Sequence, residues 1–312
     1  MRASEYFNVW LEYQHNFVQR STYEALTVYF CKHINPYFEQ YELEEITPLL
    51  IQQYITYKLK DGRQDGKKGG LSLVSVRKHF SLLKQALNQA VIYGYISQNP
   101  CDPVRIRRKK STVTKRVVML TADEGQAVIN AFEGHPLHTA VILSLYYGLR
   151  RSEVLGLKWS AIDFEKNTLT INHTIVKNLT IEAKDVTKSE TSERTFSMTP
   201  EVRQLLQEQR TKASSEYVNA WSDGRIYRPD YLTRGFQRVL KSHGLPVMRF
   251  HDLRHSTASI LFDRGWQLED VKNWLGHADI ETTSNIYLHY SKQRKVLLAD
   301  NIGGMFDLAK RA

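Results

Sequence analysis

Three stretches carry side chains whose type and spacing could do chemistry. Gly148-Leu149-Arg150-Arg151-Ser152-Glu153 sets two adjacent arginines after an apolar run, with an acid three residues beyond the first. That spacing makes Arg150 and Glu153 either a surface ion pair of little worth or a buried guanidinium aimed at an anion and held in place by Glu153. A planar guanidinium fork matches two phosphate oxygens, which a lysine ammonium cannot do. Phe250-His251-Asp252-Leu253-Arg254-His255 places His251 and Arg254 three apart, on one face of a helix. His251 and His255 also have the i, i+4 spacing of a zinc metalloprotease helix. That motif needs glutamate after the first histidine, whereas Asp252 stands there, and a cationic Arg254 between the ligands opposes a metal. The third stretch is Leu275-Gly276-His277, followed by Thr282, Thr283 and Tyr287, with Tyr290 close by as a rival nucleophile.

These residues need a scaffold, and hydrophobic periodicity predicts one that is mainly α with a small antiparallel β-sheet (α+β). Ser72 can cap a helix beginning near Val74, in which Val76, Phe80, Leu83, Leu87 and Ala90 form one apolar stripe that ends around Gly94. Stretches near 4–18, 21–34 and 46–60 read the same way, with breaks at Asn35-Pro36 and at the loop DGRQDGKKGG. Thr121-Ala-Asp-Glu opens a helix with a cap and acids in its first turn. Residues 136–147 form a strongly apolar helix ending at Gly148. NTLTINHT, NLTIEAK and ERTFSMT alternate with a period of two and predict the sheet, after which helices return from Pro200 onward.

Composition narrows the class. The chain has 312 residues, enough for two domains at roughly 100–200 residues each. Lys and Arg number 43 against 33 Asp and Glu, a formal net charge of +10. Such an excess fits simple solubility, and it also fits attraction to a polyanion by counterion release. Its densest run is Arg105, Arg107, Arg108, Lys109, Lys110, Lys115 and Arg116, which holds no acid. This reads either as a flexible linker or as a strap along a phosphate backbone. Cys31 and Cys101 are the only cysteines, so a disulfide framework and a Cys-rich zinc site are both excluded. No transmembrane run is present, and the start MRASEYFNVWLEYQHN does not resemble a signal peptide, so the cytoplasm is the expected compartment. No G-x-x-x-x-G-K-[S/T] loop and no recognisable carboxylate cluster occurs.

In this order the segments resemble the tyrosine recombinase family, also called the phage integrase family. Its active site joins an arginine in a G-x-R-x-[S/G]-E stretch, a lysine in a β-turn, an H-x-x-R motif, a later His or Trp, and a tyrosine nucleophile. Arg150 matches the first arginine and Glu153 its acidic neighbour; His251 and Arg254 match the H-x-x-R pair, His277 the later histidine and Tyr287 the nucleophile. Lys184 and Lys188 compete for the turn lysine, and the Lys-Ser-Glu-Thr-Ser-x-Arg context favours Lys188.

The resemblance implies a helical core-binding domain over 1–104, a basic linker over 105–117 and a catalytic domain with a C-terminal tail over 118–312. It implies DNA cleavage and rejoining through a 3′-phosphotyrosyl intermediate, with neither cofactor nor metal. Arg150 and Arg254 would clamp the phosphate oxygens and His277 would donate a further hydrogen bond, while Lys188 would serve as general acid and His251 as base or proton relay. The implied partner is double-stranded DNA, with Arg105, Arg107, Arg108, Lys109 and Lys110 on its backbone. A homotetramer on two DNA sites, exchanging C-terminal tails between protomers, would carry out integration or excision of a mobile element, with a bending or excision factor as a possible accessory. The sheet segment between Arg150 and Lys188 is long, closer to integrases of phages and conjugative transposons. Many of these carry an additional N-terminal arm-binding domain, which does not precede the first helical block here, so the chain reads as a simpler recombinase or a trimmed one. The rival readings are an Xer-like recombinase resolving chromosomes or plasmids, a relaxing topoisomerase with a tyrosine nucleophile, and a DNA-binding protein without strand exchange.

Overall fold

A computed structural model describes residues 1–107, 118–177, 181–185 and 193–276, giving the backbone path alone for 177 and 181–185. The chain divides into two compact units, Met1–Thr114 and Lys115–Ala312. The architecture is the expected α+β, mainly helical with small antiparallel sheets in the second unit. No helix among the described residues is long and apolar enough to cross a membrane.

The first unit is a helical bundle of α1 (Ala3–His15), α2 (Arg20–Tyr29), α3 (Asn35–Phe38), α4 (Pro48–Asp61) and α5 (Leu73–Ile92). Caps set two of the starts: Leu50 N–H donates to Thr47 Oγ1 (3.2 Å), and Ser75 N–H donates to Ser72 Oγ (3.1 Å). In α5 the stripe lies inward, with Val76, Leu83, Leu87 and Ala90 buried and Phe80 partly so. The break expected at Asn35-Pro36 does not form. Instead Phe30–Ile34 winds as a π-helix, and α3 continues directly with Pro36 in its first turn. Proline has no N–H to give the preceding turn, and the side-chain amide of Gln64 donates to the Lys32 carbonyl in its place.

The second unit begins with α6 (Ala122–Ala131), α7 (His138–Tyr147) and α8 (Arg151–Gly156). Thr121 closes a capping box, its Oγ1 accepting from Glu124 N–H while its own N–H donates to the Glu124 carboxylate (2.8 Å). α7 ends at Gly148, whose φ of 62° is left-handed. Strands β1 (Ile162–Asp163), β2 (Thr168–Ile171) and β5 (Arg194–Ser197) form an antiparallel sheet in the order β1-β2-β5. The stretch read as one strand, NTLTINHT, divides at Asn172, so β3 (His173–Lys177) pairs with β4 (Ile181–Asp185) in a separate ribbon. β3 leaves the first sheet to lie against α8. Only a glycine at 156 permits that approach, because a Cβ there would sit 2.5 Å from Thr174 Cα.

Helices then return as α9 (Pro200–Arg210), α10 (Pro229–Ser242), α11 (Asp252–Asp263) and α12 (Leu268–Leu275), with an irregular stretch over 211–228. The core holds α7 against β5 and α12 through aromatic contacts: Tyr147 to Phe196 at 5.1 Å and Phe196 to Trp274 at 4.9 Å between ring centroids. Buried Thr257 of α11 donates to the carbonyls at the end of α7, including that of Leu145 at 2.9 Å, and this seats α11 beside the Gly148 turn.

Candidate active site

The site is assembled at the ends of α7, α8, α11 and α12. Arg150 is the residue before α8, so its backbone N–H and its side chain face the first turn together. Glu153, 4% exposed, accepts both: Arg150 N–H at 2.8 Å on Oε2 and Arg150 Nη1 at 2.7 Å on Oε1. Arg150 Nη2 reaches the Gly276 carbonyl at 3.2 Å. Glu153 thus holds the guanidinium, but its side chain is 37% exposed, so the buried placement that the sequence reading offered is not found.

Arg254 is the buried one, at 1% exposure. Its Nη1 donates to the Gly148 carbonyl and its Nη2 to the Leu275 carbonyl, each at 2.6 Å. These oxygens close the C-terminal ends of α7 and α12, where the helix dipoles are negative. Two helix ends therefore compensate a charge that burial would otherwise penalise severely. Burial, followed by the neighbouring Arg150 charge, pushes the Arg254 pKa down to about 9, which leaves the group cationic at neutral pH. Glu153 shows the opposite balance. Burial raises its carboxyl, but the hydrogen bonds and charge of Arg194, and then the charge of Arg150, outweigh that and hold it at about 2. Glu153 is a permanent anion between cations.

His251 precedes α11 and is exposed, with its ring edge-to-face against His255 at 5.1 Å. Desolvation by the protein around the ring, then His255, Arg254 and Arg150, push its pKa down to about 4. The imidazole is neutral at pH 7 and can accept a proton. Asp252 fixes this helix start, taking Arg249 Nη2 at 2.6 Å and Arg249 N–H at 2.8 Å.

The structure thus brings Arg150, Glu153 and Arg254 together, with His251 at their edge. Lys188, His277 and Tyr287 lie outside the described residues, as do Arg108, Lys109 and Lys110 of the basic run. Arg105 and Arg107 belong to the first unit, both exposed; Arg105 Nη1 turns back onto the carbonyl of Val104 at 3.2 Å. One member, Arg194, entered the sequence reading only as context for Lys188, in Lys-Ser-Glu-Thr-Ser-x-Arg, and had no place among the site residues. Arg194 of β5 forks onto Glu153, Nη2 to Oε2 at 2.7 Å and Nη1 to Oε1 at 3.1 Å. Its signal was present in ERTFSMT, where a period of two sets Arg194 on the same inward face as Phe196. An arginine at a core-facing strand position needs a buried partner.

With two guanidiniums on one carboxylate and a third held nearby by helix-end carbonyls, the arrangement suits an anionic group with several oxygens. Residues 118–294 match the Phage integrase family, and residues 4–59 match the phage integrase N-terminal SAM-like domain. The chain belongs to the phage integrase family, and it is an enzyme of the tyrosine recombinase class. It is 28% identical to a tyrosine recombinase XerC-like protein of Caldanaerobacter subterraneus subsp. tengcongensis over 288 residues, 84% of this chain and 72% of that one. It is 27% identical to the ICEBs1 integrase of Bacillus subtilis, over 87% of this chain and 74% of that one. Among solved structures, the fold matches the Tn1549 transposon integrase in complex with a circular intermediate DNA with a TM-score of 0.78, at 18% identity, covering 96% of this chain and 99% of that one. A lambda integrase dimer bound to a core site matches with a TM-score of 0.70 at 19% identity, covering 92% and 77%.

Proposed function

We propose that the protein is a site-specific integrase that cuts and rejoins double-stranded DNA through a 3′-phosphotyrosyl intermediate on Tyr287. The observation that carries this reading is the convergence of Arg150 and Arg254 on the Gly148 and Gly276 turns, with an excess of positive charge left over. In this reading the two guanidiniums hold the non-bridging oxygens of the scissile phosphate. The Tyr287 oxygen attacks phosphorus as its proton passes to His251, whose neutral ring gains basicity once the phosphate offsets the nearby arginines. The P–O5′ bond breaks, and Lys188 protonates the departing oxygen. His277 donates a hydrogen bond to the phosphoryl group. The phosphodiester energy stays in the tyrosyl link for rejoining. The reading also places the basic run from Arg105, including Arg107, Arg108, Lys109 and Lys110, along the DNA backbone as a linker between a core-binding domain and a catalytic domain. Four protomers on two sites would exchange their C-terminal tails.

The integrase relatives support integration or excision of a mobile element as the biological task, while the XerC-like relative supports resolution of chromosomes or plasmids. Duplexes recovered by the full chain from a random pool would supply its sites. Strand exchange between two dissimilar sites favours integration; exchange confined to identical sites on one circle favours resolution. The chemical step is tested with a nicked suicide form of a recovered duplex. Tyr287→Phe is expected to bind it as wild type does and to form no covalent adduct. An adduct that persists, mapped to Tyr290, would displace Tyr287 from the mechanism.

A further inference from the structure

We infer that Arg194 is a positioning residue of the cleavage site, acting through Glu153 to keep the Arg150 fork aimed at the phosphate. The inference rests on the site reading above and extends it to a residue outside the family's catalytic set. Arg194 and Glu153 are 9% and 5% exposed at their side chains, and they meet through two parallel hydrogen bonds. Glu153 Oε1 also receives Arg150 Nη1 at 2.7 Å, so one carboxylate is shared by two arginines. Arg150 in turn donates to the Gly276 carbonyl. Gly276 lies directly over Arg194: a Cβ there would stand 2.8 Å from Arg194 Cδ. Arg150, Glu153, Arg194 and Gly276 therefore close a ring stitched from three distant segments of chain.

Each segment in that ring leads into a group the reaction uses. Arg150 stands just before α8, Arg194 opens β5 six residues after Lys188 in the sequence, and Gly276 precedes His277. The same face of β5 reinforces the junction, because Arg194 stacks over Phe196 at 5.4 Å and Phe196 packs on Trp274 of α12. Electrostatics gives Arg194 a specific task. A buried carboxylate left alone with Arg150 would turn to take that guanidinium through both oxygens, drawing its fork away from the phosphate. Arg194 occupies the carboxylate and leaves the Arg150 guanidinium a single bond to it, beside the one from the Arg150 backbone N–H. It also keeps Glu153 ionised against its burial.

The test uses the full chain and a nicked suicide duplex recovered by selection. DNA affinity, the single-turnover rate of covalent adduct formation at saturating protein, and the pH dependence of that rate are measured for Arg194→Ala and Arg194→Lys. Melting temperature is followed in parallel. Arg194→Ala is expected to bind within about twofold of wild type and to form adduct about 10²-fold more slowly, the scale of a misplaced catalytic group. Arg194→Lys should recover part of that rate. The deficit should deepen as pH falls toward about 5, because the buried Glu153 then gains a proton at higher pH than in wild type. In a Glu153→Gln background the loss on removing Arg194 should largely vanish, since contacting residues are non-additive. Should Arg194→Ala not fold, Arg194→Lys reads the same three quantities. Wild-type rates in both variants overturn the inference. So does a slowing that is equal at every pH and persists in Glu153→Gln, which would mark Arg194 as fold support only. Arg150→Ala separates the two levels: if it cleaves normally, the site reading and this inference both fall. If Arg150→Ala is inactive while the Arg194 variants cleave as wild type, only this inference falls.

Discussion

Arg254 and Arg150 illustrate two ways of holding a guanidinium in place. Arg254 is nearly inaccessible and is oriented by the carbonyls of two helix ends, whereas Arg150 is half open and steered by a carboxylate. Replacing Arg150 with lysine keeps the charge but cannot span Glu153 and Gly276 while presenting a planar face. Arg150→Lys should therefore bind DNA with near-wild-type affinity and lose about 10²–10³ in the rate of adduct formation, the scale of one oxyanion donor. Retention of the wild-type rate would mean that Arg150 does not meet the phosphate. At this scale the sequence was informative, because Arg150, Glu153, His251 and Arg254 sit in compact motifs with fixed spacing. Arg194 escaped because its partner is 41 residues away in the chain, and nothing local announces that Glu153 will be its neighbour.

The elements matter chiefly through their ends. Gly148 combines a left-handed φ of 62° with a close approach, since a Cβ would lie 2.2 Å from Leu275 Cδ2. Gly148→Ala should cost about 1–2 kcal/mol for the backbone conformation, with displacement of Leu275 adding to that. Leu275 supplies a carbonyl to Arg254, so the variant should also lose cleavage. Gly134 makes a clean control: its φ is 71° and nothing lies within 4 Å of its virtual Cβ. Gly134→Ala should show the conformational cost alone in thermal denaturation and keep full cleavage activity. Equal melting temperatures and equal activity in the two variants would refute the role given to the Gly148 turn. Helix starts and stops were readable from capping residues, as Ser72, Thr121 and Gly148 show. The π-helical passage at Phe30–Ile34 and the division of the strand at Asn172 were not, because each depends on a distant partner: Gln64 for the first and α8 for the second.

On the scale of the whole molecule, each of the two units has its own core, and the first carries an acid-sensitive group that the site does not use. His79 is buried in α5, with Tyr54 Oη at 3.0 Å from its Nδ1 and the His33 ring centroid at 4.7 Å. Burial, then His33 and Lys58, push its pKa from 6.5 down to about 4. The unfolded chain thus takes up a proton that the folded one refuses, and stability is full above about pH 6.5. It should be lost progressively between there and about pH 4, by roughly 3 kcal/mol for this group. Hydrogen exchange of the α4 and α5 amides against pH should show that slope, and His79→Gln should flatten it; an unchanged slope in the variant would assign it elsewhere. By itself the sequence determined the family, the α+β class and the order of the motifs that resemble the family's. These rest on side-chain chemistry at short spacing and on helical and strand periodicity, both local properties of the chain. Only the tertiary structure decided which carbonyls cup Arg254, how open Arg150 remains and that Arg194 completes the ring around Glu153. Those contacts join residues between 21 and 126 positions apart, and their geometry follows from how helices and sheet pack, which no local pattern encodes.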